Sequence, residues 1–544
     1  MKKGIWVGMV VVMLVGMGAV RRAATRPTTR RLNLEKLIEK LGSADSVERE
    51  EAVKRAVFAY PGHEEEIEAA AQRTGLDPQA QLELQQIVAM QKPRMEAKKR
   101  AERIGDENER LNRDSALAAY DKVGIHDPAW DDAARELIKE FTLVQRKWEP
   151  NEQHLVKMSA LAEKISKAGC KDPFIRYLIV RTKEMEPVGM DGATLGVEFK
   201  QVVGDLEESG YPADRKCQGH ARYVDMILRK ELTGSLGNWK TELGGELQQA
   251  VKEWPEVVKS AGINDEMLGD LANVLENDWV NVMGKEEGKK GDRAELCEKL
   301  VPAWVEAYPK AVGPWVFKGQ AYVGYAWDAR GDGWGNTVTA DGSKAMGERL
   351  KVARAALEKA YELDPKDARG PTEMISVELG EGNGRAEMEK WWKRAMDANP
   401  DNYQACSNKL YYLEPKWYGS PGEMIAFGRE CLSEGNWEGR IPFILVDAHM
   451  QLSKYPSAGK GDYFAQPEVW KDIRSVYGPF LERYSTAVWD RSYYAYYATR
   501  CGEWGVAKKQ FEVLGNKVDL TPFGNREAYE FLVKKANAMS EGEK

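Results

Sequence analysis

The sequence has few of the residues that bind metals or form covalent cross-links. Its 544 residues include six cysteines and five histidines, and no two cysteines are closer than 25 positions. This spacing excludes a zinc ribbon and the disulfide framework of a small secreted domain. Cys217 and His220 form a C-x2-H pair, but a zinc site would need two further ligands. The sequence therefore predicts no metal site.

The sequence also lacks the short motifs of common catalytic and nucleotide-binding sites. It contains no G-x-S-x-G elbow, no G-x4-G-K-[ST] loop and no H-E-x-x-H. Two acid/base pairs can be proposed, Glu387 with Glu389 and Asp447 with His449. Residues two positions apart on a helix do not face each other, so solvent-facing or capping roles are favoured for both pairs. We predict a non-catalytic protein without a cofactor.

An excess of positive charge is absent as well. Lysine and arginine number 79 against 86 aspartate and glutamate residues, which gives a net charge of −7. The chain thus lacks the electrostatic signature of a nucleic-acid-binding protein, and no nucleic-acid partner is predicted. With 43% hydrophobic and 30% charged residues, the composition excludes wholesale disorder and a protein with many membrane spans.

One apolar segment approaches the length of a membrane span. Residues 4–20 are apolar or glycine, two lysines precede them and two arginines follow them. The segment is interpreted as an uncleaved single-pass anchor, as a signal peptide cleaved after Gly18, or as the apolar start of a cytoplasmic chain. We favour the anchor and predict contact with the cell membrane through residues 4–20. The two-lysine start is typical of exported bacterial proteins, so we expect the rest of the chain outside the cytoplasm, although the arginines favour the opposite orientation.

The clearest pattern in the chain begins at Trp315. Trp315, Gly319 and Tyr322 follow W-x3-G-x2-Y, and residues 353–365 follow A-x3-L-x2-A-x4-P. These patterns resemble the two halves of a tetratricopeptide repeat, a helical hairpin with small residues where its helices touch. The second half recurs at 388–400, shifted by 35 positions, close to the repeat length of about 34.

The motifs that follow extend this resemblance. R-A-x4-P-D at Arg394, L-x-P-K-W at Leu413 and G-S-x-x-E-M at Gly419 resemble an uncharacterised bacterial family with a tetratricopeptide-like carboxyl half. The resemblance implies an all-α solenoid of helical hairpins and assigns no catalytic residue. In the last motif, Ser420 is expected to cap a helix that has Pro421 at its first position.

The segment after the apolar run also has helical spacing. A stripe of leucine and isoleucine at 32–41 ends at Gly42, and residues 43–46 offer caps for a second helix. R-x-x-A at Arg49 stands where HEAT repeats often carry it, so residues 32–93 resemble paired HEAT-like helices. An unrelated helical bundle fits the same pattern equally well.

The chain is predicted to be all-α and to contain five consecutive segments. They are a signal-anchor and tether (1–31), a HEAT-like segment (32–93), charged connecting helices (94–150), helical hairpins (151–283) and a tetratricopeptide-like repeat domain (292–540). The glycine-rich, charged stretch 284–291 marks the boundary before the last segment. Seventeen tryptophans, most of them beyond position 230, are expected to fill grooves between helices, with a ligand-stacking surface as the alternative.

The first repeat contains extra residues between its two helix patterns. Tyr322 and Ala353 are 31 positions apart, where a regular repeat needs about 9. The glycine-rich insertion 327–348 is interpreted as a structural turn packed by its tryptophans, a partner-contacting loop, or a cation site that departs from the EF-hand pattern. Its candidate contact residues are Asp332, Trp334 and Asn336.

These patterns favour a membrane-tethered scaffold that binds another protein. Helical-repeat proteins present an extended surface to a protein or peptide, and aromatic side chains supply much of the contact. The candidate contact residues of the carboxyl half are Trp391, Tyr403, Tyr411, Tyr412 and Trp417. The alternative is a hydrolase of the cell envelope that acts on a glycan with two carboxylates brought together by the fold.

Overall fold

The computed structural model describes most of the chain, in eight stretches. These are 33–58, 63–146, 152–186, 191–284, 291–331, 333, 335–455 and 462–541. Within them the chain forms helices joined by turns, without a β-strand, which confirms the all-α prediction. No helix in these stretches is long and apolar enough to cross a membrane, and the apolar run 4–20 lies outside them.

The described stretches contain 23 α-helices. In chain order they are α1 (Leu34–Leu41), α2 (Ser46–Phe58), α3 (Glu64–Ala71), α4 (Pro78–Val123), α5 (Asp131–Arg146), α6 (Glu152–Lys167), α7 (Pro173–Met185), α8 (Gly192–Glu207), α9 (Ala213–Arg229), α10 (Trp239–Val257), α11 (Asp265–Val282), α12 (Arg293–Ala307), α13 (Gly313–Arg330), α14 (Ala340–Leu363), α15 (Arg369–Glu381), α16 (Arg385–Ala398), α17 (Tyr403–Tyr412), α18 (Pro421–Glu434), α19 (Ile444–Leu452), α20 (Pro467–Arg483), α21 (Val488–Arg500), α22 (Trp504–Leu514) and α23 (Arg526–Glu541).

The helices form two compact units, and one of them combines both ends of the chain. The described residues of Met1–Ala97 and Asn383–Lys544 form the terminal unit, and those of Lys98–Gly382 form the central unit. The division falls within α4, a continuous helix of 46 residues. The five segments predicted from the sequence are shorter than these units, and their boundaries stay predictions.

Local capping signals explain where several helices begin and end. Ser420 accepts a hydrogen bond from the backbone N–H of Glu423, and Pro421 is the first residue of α18, as predicted. Gly42 ends α1, and α2 begins at Ser46, which also matches the sequence pattern. These ends are set by short-range chemistry, so the sequence alone identifies them.

Tryptophans fill the core of the central unit. Trp254, Trp279 and Trp304 lie on α10, α11 and α12 and are fully buried. Each indole N–H donates a hydrogen bond to an oxygen of a neighbouring segment: the carbonyl of Leu300 at 2.9 Å, the carbonyl of Asp292 at 3.1 Å and Oδ1 of Asp265 at 2.9 Å, respectively. When the N–H of a buried indole is hydrogen-bonded, burial of the ring stabilises the fold without the cost of an unpaired donor. These three tryptophans therefore fill spaces between helices, as expected.

Helices that are neighbours in the chain pack against each other, and α13 with α14 is the most extensive such pair. Gly319 on α13 lies directly against Leu357 on α14, so that a Cβ at Gly319 would be 2.4 Å from Leu357 Cδ2. Ala353, Leu357 and Ala360 of the second pattern are all buried. The small residue of the first helix thus permits the close approach of the second.

Helices cover both ends of the predicted insertion 327–348. Helix α13 continues to Arg330, and α14 begins at Ala340, where Thr339 caps it by accepting from the N–H of Gly342 at 3.0 Å. Arg349 also lies over the ring of Tyr325 at 3.3 Å and joins the two extended ends. Gly331, Gly333 and Gly335 lie between the two helices, where glycine favours a turn, and the interpretation of the segment as an insertion stays a prediction.

A pair of glycine substitutions tests the close approach of α13 and α14. Gly319→Ala places a methyl group against Leu357 and should destabilise the protein by about 1–3 kcal/mol. The matched control is Gly347→Ala on α14, whose Cβ meets no atom within 4 Å and which should stabilise by about 0.5–1 kcal/mol. Thermal and urea unfolding measure both changes. Equal stability of the two variants would contradict this packing.

Candidate functional site

Half-buried aromatic side chains and carboxylates lie together on one surface of the terminal unit. They come from α17, from the turn 413–420, and from α19 with the turn that follows it, and α17 packs against α19. We call this surface the tyrosine face and define it by Tyr403, Tyr411, Glu414, Lys416, Trp417, Tyr418, Asp447 and Tyr455. The chemistry of the surface is that of phenol, indole and carboxylate groups.

The first pair on the tyrosine face joins α17 to α19. The hydroxyl of Tyr403, at the start of α17, donates a hydrogen bond to Oδ2 of Asp447 on α19. Burial raises the pKa of Asp447 to about 6, although the bond from Tyr403 and the charges of Arg440 and Lys454 act to lower it. Burial and the Asp447 charge also raise the pKa of Tyr403 well above its ordinary value. The pair is therefore a phenol that stays protonated beside a carboxyl group that titrates near neutral pH.

The Arg440 guanidinium acts on this pair, because its positive charge favours the ionised form of Asp447. The Arg440 guanidinium lies 4.1 Å from the ring centre of Phe443 and donates to Oδ1 of Asp490 at 2.6 Å. Arg440 has a φ of 59°, in the left-handed region that side chains other than glycine seldom occupy. Such a conformation persists only where the surrounding contacts hold it, and here aromatic and carboxylate contacts fix the guanidinium.

A second tyrosine–carboxylate pair lies at the other end of α17. The hydroxyl of Tyr455 donates to Oε2 of Glu414 at 2.6 Å, and Nζ of Lys416 is 3.0 Å from the same oxygen. Lys416 also lies 4.4 Å from the ring centre of Tyr411. The buried Glu414 carboxylate thus holds one phenol and one ammonium, which leaves the local charge balanced.

Aromatic rings form the more exposed part of the face. Tyr411 and Trp417 meet edge to face with ring centres 6.0 Å apart, and both remain half-buried. Tyr418 packs against Tyr412 at 4.9 Å and keeps 48% of its surface exposed. Rings fixed by their neighbours but open on one side can contact another molecule at little conformational cost.

The predicted contact residues differ in where the structure places them. Tyr403, Tyr411 and Trp417 lie on the tyrosine face, whereas Trp391 and Tyr412 are buried, with 3% and 1% exposure. Side chains with so little exposure offer almost no surface to a partner, and their bulk fills the interior instead. Asn336 is exposed in the central unit, and Asp332 and Trp334 lie outside the described residues.

The carboxylates of the face were not predicted from the sequence. Asp447 was considered only together with His449, yet His449 contacts Tyr463 at 2.9 Å and Asp472 at 3.1 Å, while Asp447 accepts from Tyr403. The pairs Tyr403–Asp447 and Tyr455–Glu414 join residues 44 and 41 positions apart. No local pattern marks such pairs, although the aromatic cluster before Gly419 did indicate the region.

The groups of the tyrosine face are suited to contact with a ligand. Within the part of the chain that the structure describes, no group of three or more histidine, cysteine, aspartate or glutamate residues is placed to hold a metal ion. What the tyrosine face offers is stacking surface on its rings and free lone pairs on carboxylates that already hold a phenol. These groups can accept N–H donors and cover apolar groups of a ligand.

The fold defines an all-α protein in which helices adjacent in the chain pack against each other. Within it, residues 287–383 are similar to a family described as a domain of unknown function (DUF4034). The matched region includes α12–α15 of the central unit and none of the tyrosine face. No tetratricopeptide family matches the chain, and no curated protein is significantly similar to it.

The buried carboxyl group of Asp447 gives a pH-dependent prediction. Its folded pKa of about 6 lies above the unfolded value of about 3.9, so the folded state holds the proton more tightly and loses stability as the pH rises from about 4 to about 6. Asp447→Asn keeps an acceptor for Tyr403 but removes the titration. The variant should therefore gain about 1–3 kcal/mol relative to wild type between about pH 4.5 and about pH 7.

Urea unfolding followed by tryptophan fluorescence at the two pH values measures this gain. The control is Glu468→Gln, which removes an exposed carboxylate from α20 in the same unit. A stability difference between Asp447→Asn and wild type that does not change with pH would show that Asp447 is not held in its protonated form.

Proposed function

We propose that the protein is a non-catalytic helical-repeat scaffold that binds an extended segment of another protein on the tyrosine face. The observation that carries this proposal is a set of partly exposed rings held by ring contacts: the half-buried Tyr411 and Trp417 contact each other, and the exposed Tyr418 packs against Tyr412. Rigid aromatic groups of this kind dominate the energetics of protein recognition surfaces.

The architecture is proposed to be tetratricopeptide-like in the carboxyl half and HEAT-like in residues 32–93. The close approach of Gly319 to Leu357 supports the first part, since small residues at this position let the two helices of such a hairpin touch. The pairing of α1 with α2 around the buried Leu37, Leu41 and Ala52 supports the second. Repeat proteins of both kinds bind protein segments along the surface of their stacked helices.

The chemistry of the tyrosine face favours a peptide segment as the ligand. Extended peptides present backbone N–H donors and alternate apolar with polar side chains. Lone pairs of the half-buried Asp447 carboxylate can accept those N–H groups, and the rings of Tyr411 and Trp417 can cover the apolar side chains. Because the positive charge of Lys416 offsets the negative charge of Glu414, this pair favours neither an acidic nor a basic partner.

Location at a membrane is part of the proposal. The apolar run 4–20 would serve as a single-pass anchor in a bacterial cell membrane, with the two units outside the cytoplasm. An anchor restricts a scaffold to partners near the membrane and raises the effective concentration of those partners. A fractionation of cells that express the full chain, followed by protease treatment of intact cells, tests both the anchor and its orientation.

Site-specific photocrosslinking tests the tyrosine face and does not require that the partner be identified first. A benzoylphenylalanine introduced at Tyr418 should crosslink to a protein in cells, because Tyr418 is the most exposed ring of the face. Adding Trp417→Ala should lower the crosslinked fraction about tenfold, as expected for loss of an aromatic anchor.

The control for this experiment is the same photoreactive group at Phe531 on α23, an exposed aromatic position of the terminal unit outside the face. The proposal predicts a discrete crosslinked protein from Tyr418 and none, or a different set, from Phe531. Identical products from the two positions, or products at Tyr418 that Trp417→Ala leaves unchanged, would refute binding at this face.

A further inference from the structure

A groove of about 670 Å³ lies on the terminal unit, between α20, α21 and α22. We call it the basic groove. It is lined by Lys471, Arg474, Ser475, Gly478, Pro479, Leu481, Glu482, Arg491, Tyr494, Val506 and Gln510. None of these residues belongs to the tyrosine face, and its volume falls within the range of ligand sites.

The floor of the basic groove is rigid and aromatic. Tyr494 stacks on Trp470 at 5.6 Å and on Tyr477 at 5.2 Å, with the rings nearly parallel in both pairs. The space next to Gly478 is empty, because a Cβ at this position would meet no atom within 4 Å. The groove therefore has a fixed base and room for a ligand next to α20.

Cations without carboxylate partners line one side of the groove. Lys471 and Arg474, one turn apart on α20, are exposed, and Arg491 on α21 is half-buried. None of the three forms an ion pair with a residue that the structure describes. Arg491 donates instead to neutral acceptors, Oε1 of Gln510 at 2.6 Å and the carbonyl of Ser485 at 2.9 Å.

No described carboxylate pairs with the half-buried Arg491, whereas other arginines of the unit have carboxylate partners. Arg94 contacts Asp401 and Glu438, and Arg440 contacts Asp490. Burial without a nearby anion lowers the pKa of Arg491, which reflects the cost of holding the charge. Three cations and one carboxylate, that of Glu482, line the groove, so its net charge is positive and favours an anionic ligand.

We infer that the basic groove binds an acidic segment of a partner protein, with its carboxylates on Lys471, Arg474 and Arg491. Arginine holds a carboxylate through two parallel hydrogen bonds, and the fixed guanidinium of Arg491 is already oriented by Gln510. Pro479 and Val506, the more exposed apolar residues of the lining, can contact the apolar side chains of such a segment.

The apolar part of the lining favours a peptide over a bare phosphate. Pro479 and Val506 line the groove together with the three cations, Pro479 exposed and Val506 half-buried. An acidic peptide can place its carboxylates on the cations and apolar side chains on these two residues. Phosphate complements the cations but has no apolar group to place there.

Fluorescence anisotropy of the full chain tests this inference with a labelled decapeptide of alternating glutamate and leucine. The peptide should bind at least about tenfold more tightly than its glutamine counterpart at low salt, and the preference should shrink at high salt. Arg474→Gln and Arg491→Gln should each weaken binding about tenfold, and Gly478→Trp should block it by filling the groove.

Matched variants separate these effects from damage to the fold. Lys534→Gln removes an exposed cation from α23, and Gly422→Trp adds a side chain at another open glycine, on α18, and neither should change the affinity. Arg474 is exposed, so Arg474→Gln carries the test even if Arg491→Gln unfolds. Thermal unfolding of every variant identifies such a loss.

Three outcomes would overturn the inference. The first is equal affinity for the glutamate and glutamine peptides. The second is a glutamate preference that Arg474→Gln and Gly478→Trp both leave unchanged, which would place the peptide elsewhere. The third is competition by phosphate groups. If inorganic phosphate or a thymidine oligonucleotide displaced the labelled peptide at much lower concentrations than the unlabelled glutamate peptide does, the groove would be a phosphate site.

Discussion

The terminal unit depends on one buried arginine, because its two parts come from opposite ends of the chain. Arg94 on α4 is 7% exposed and contacts Asp401 and Glu438, more than 300 positions later. Asn436 extends this network by donating to Asp401 at 2.8 Å and to the carbonyl of Pro400 at 2.9 Å. Burial alone would lower the pKa of Arg94, but the two carboxylates raise it overall, so the cation stays charged. Removing one member of such a network leaves an uncompensated buried charge, at a cost of about 3–5 kcal/mol.

Arginines that contact two carboxylates also occur in the central unit. Arg293 at the start of α12 contacts Glu276 of α11 and Asp328 of α13, and Gly324 leaves the space that its guanidinium occupies. Arg354 of α14 likewise contacts Glu378 and Glu381 of α15. Apolar packing between helices is non-directional, whereas an arginine with two carboxylates satisfies only one arrangement of its helices. These clusters therefore specify which helix faces meet, and the tryptophans supply the buried area.

The sequence predicts the features of this fold that arise within a few residues, and misses those that arise across it. Helix class, the cap at Ser420 and the meeting of Gly319 with a helix that carries Leu357 all follow from short patterns. The helical ends of the 327–348 segment do not follow from the sequence, because glycine frequency is a local signal, while the contact of Arg349 with Tyr325 that joins the helix ends is not. For the candidate site, aromatic residues were visible as a cluster near Trp417. Their carboxylate partners were not, since Asp447 and Glu414 pair with tyrosines some forty positions away.

The two surfaces of the terminal unit differ in how their charged groups are paired. On the tyrosine face every carboxylate has a donor: Asp447 holds Tyr403, and Glu414 holds Tyr455 and Lys416. A ligand of that face gains mainly from ring contact and shape, terms that salt affects little. In the basic groove Arg491 contacts neutral acceptors and no described carboxylate, so a ligand there gains mainly from charge. Because exposed charge interactions weaken as the Debye length shortens, raising the salt concentration separates the two modes of binding within one unit.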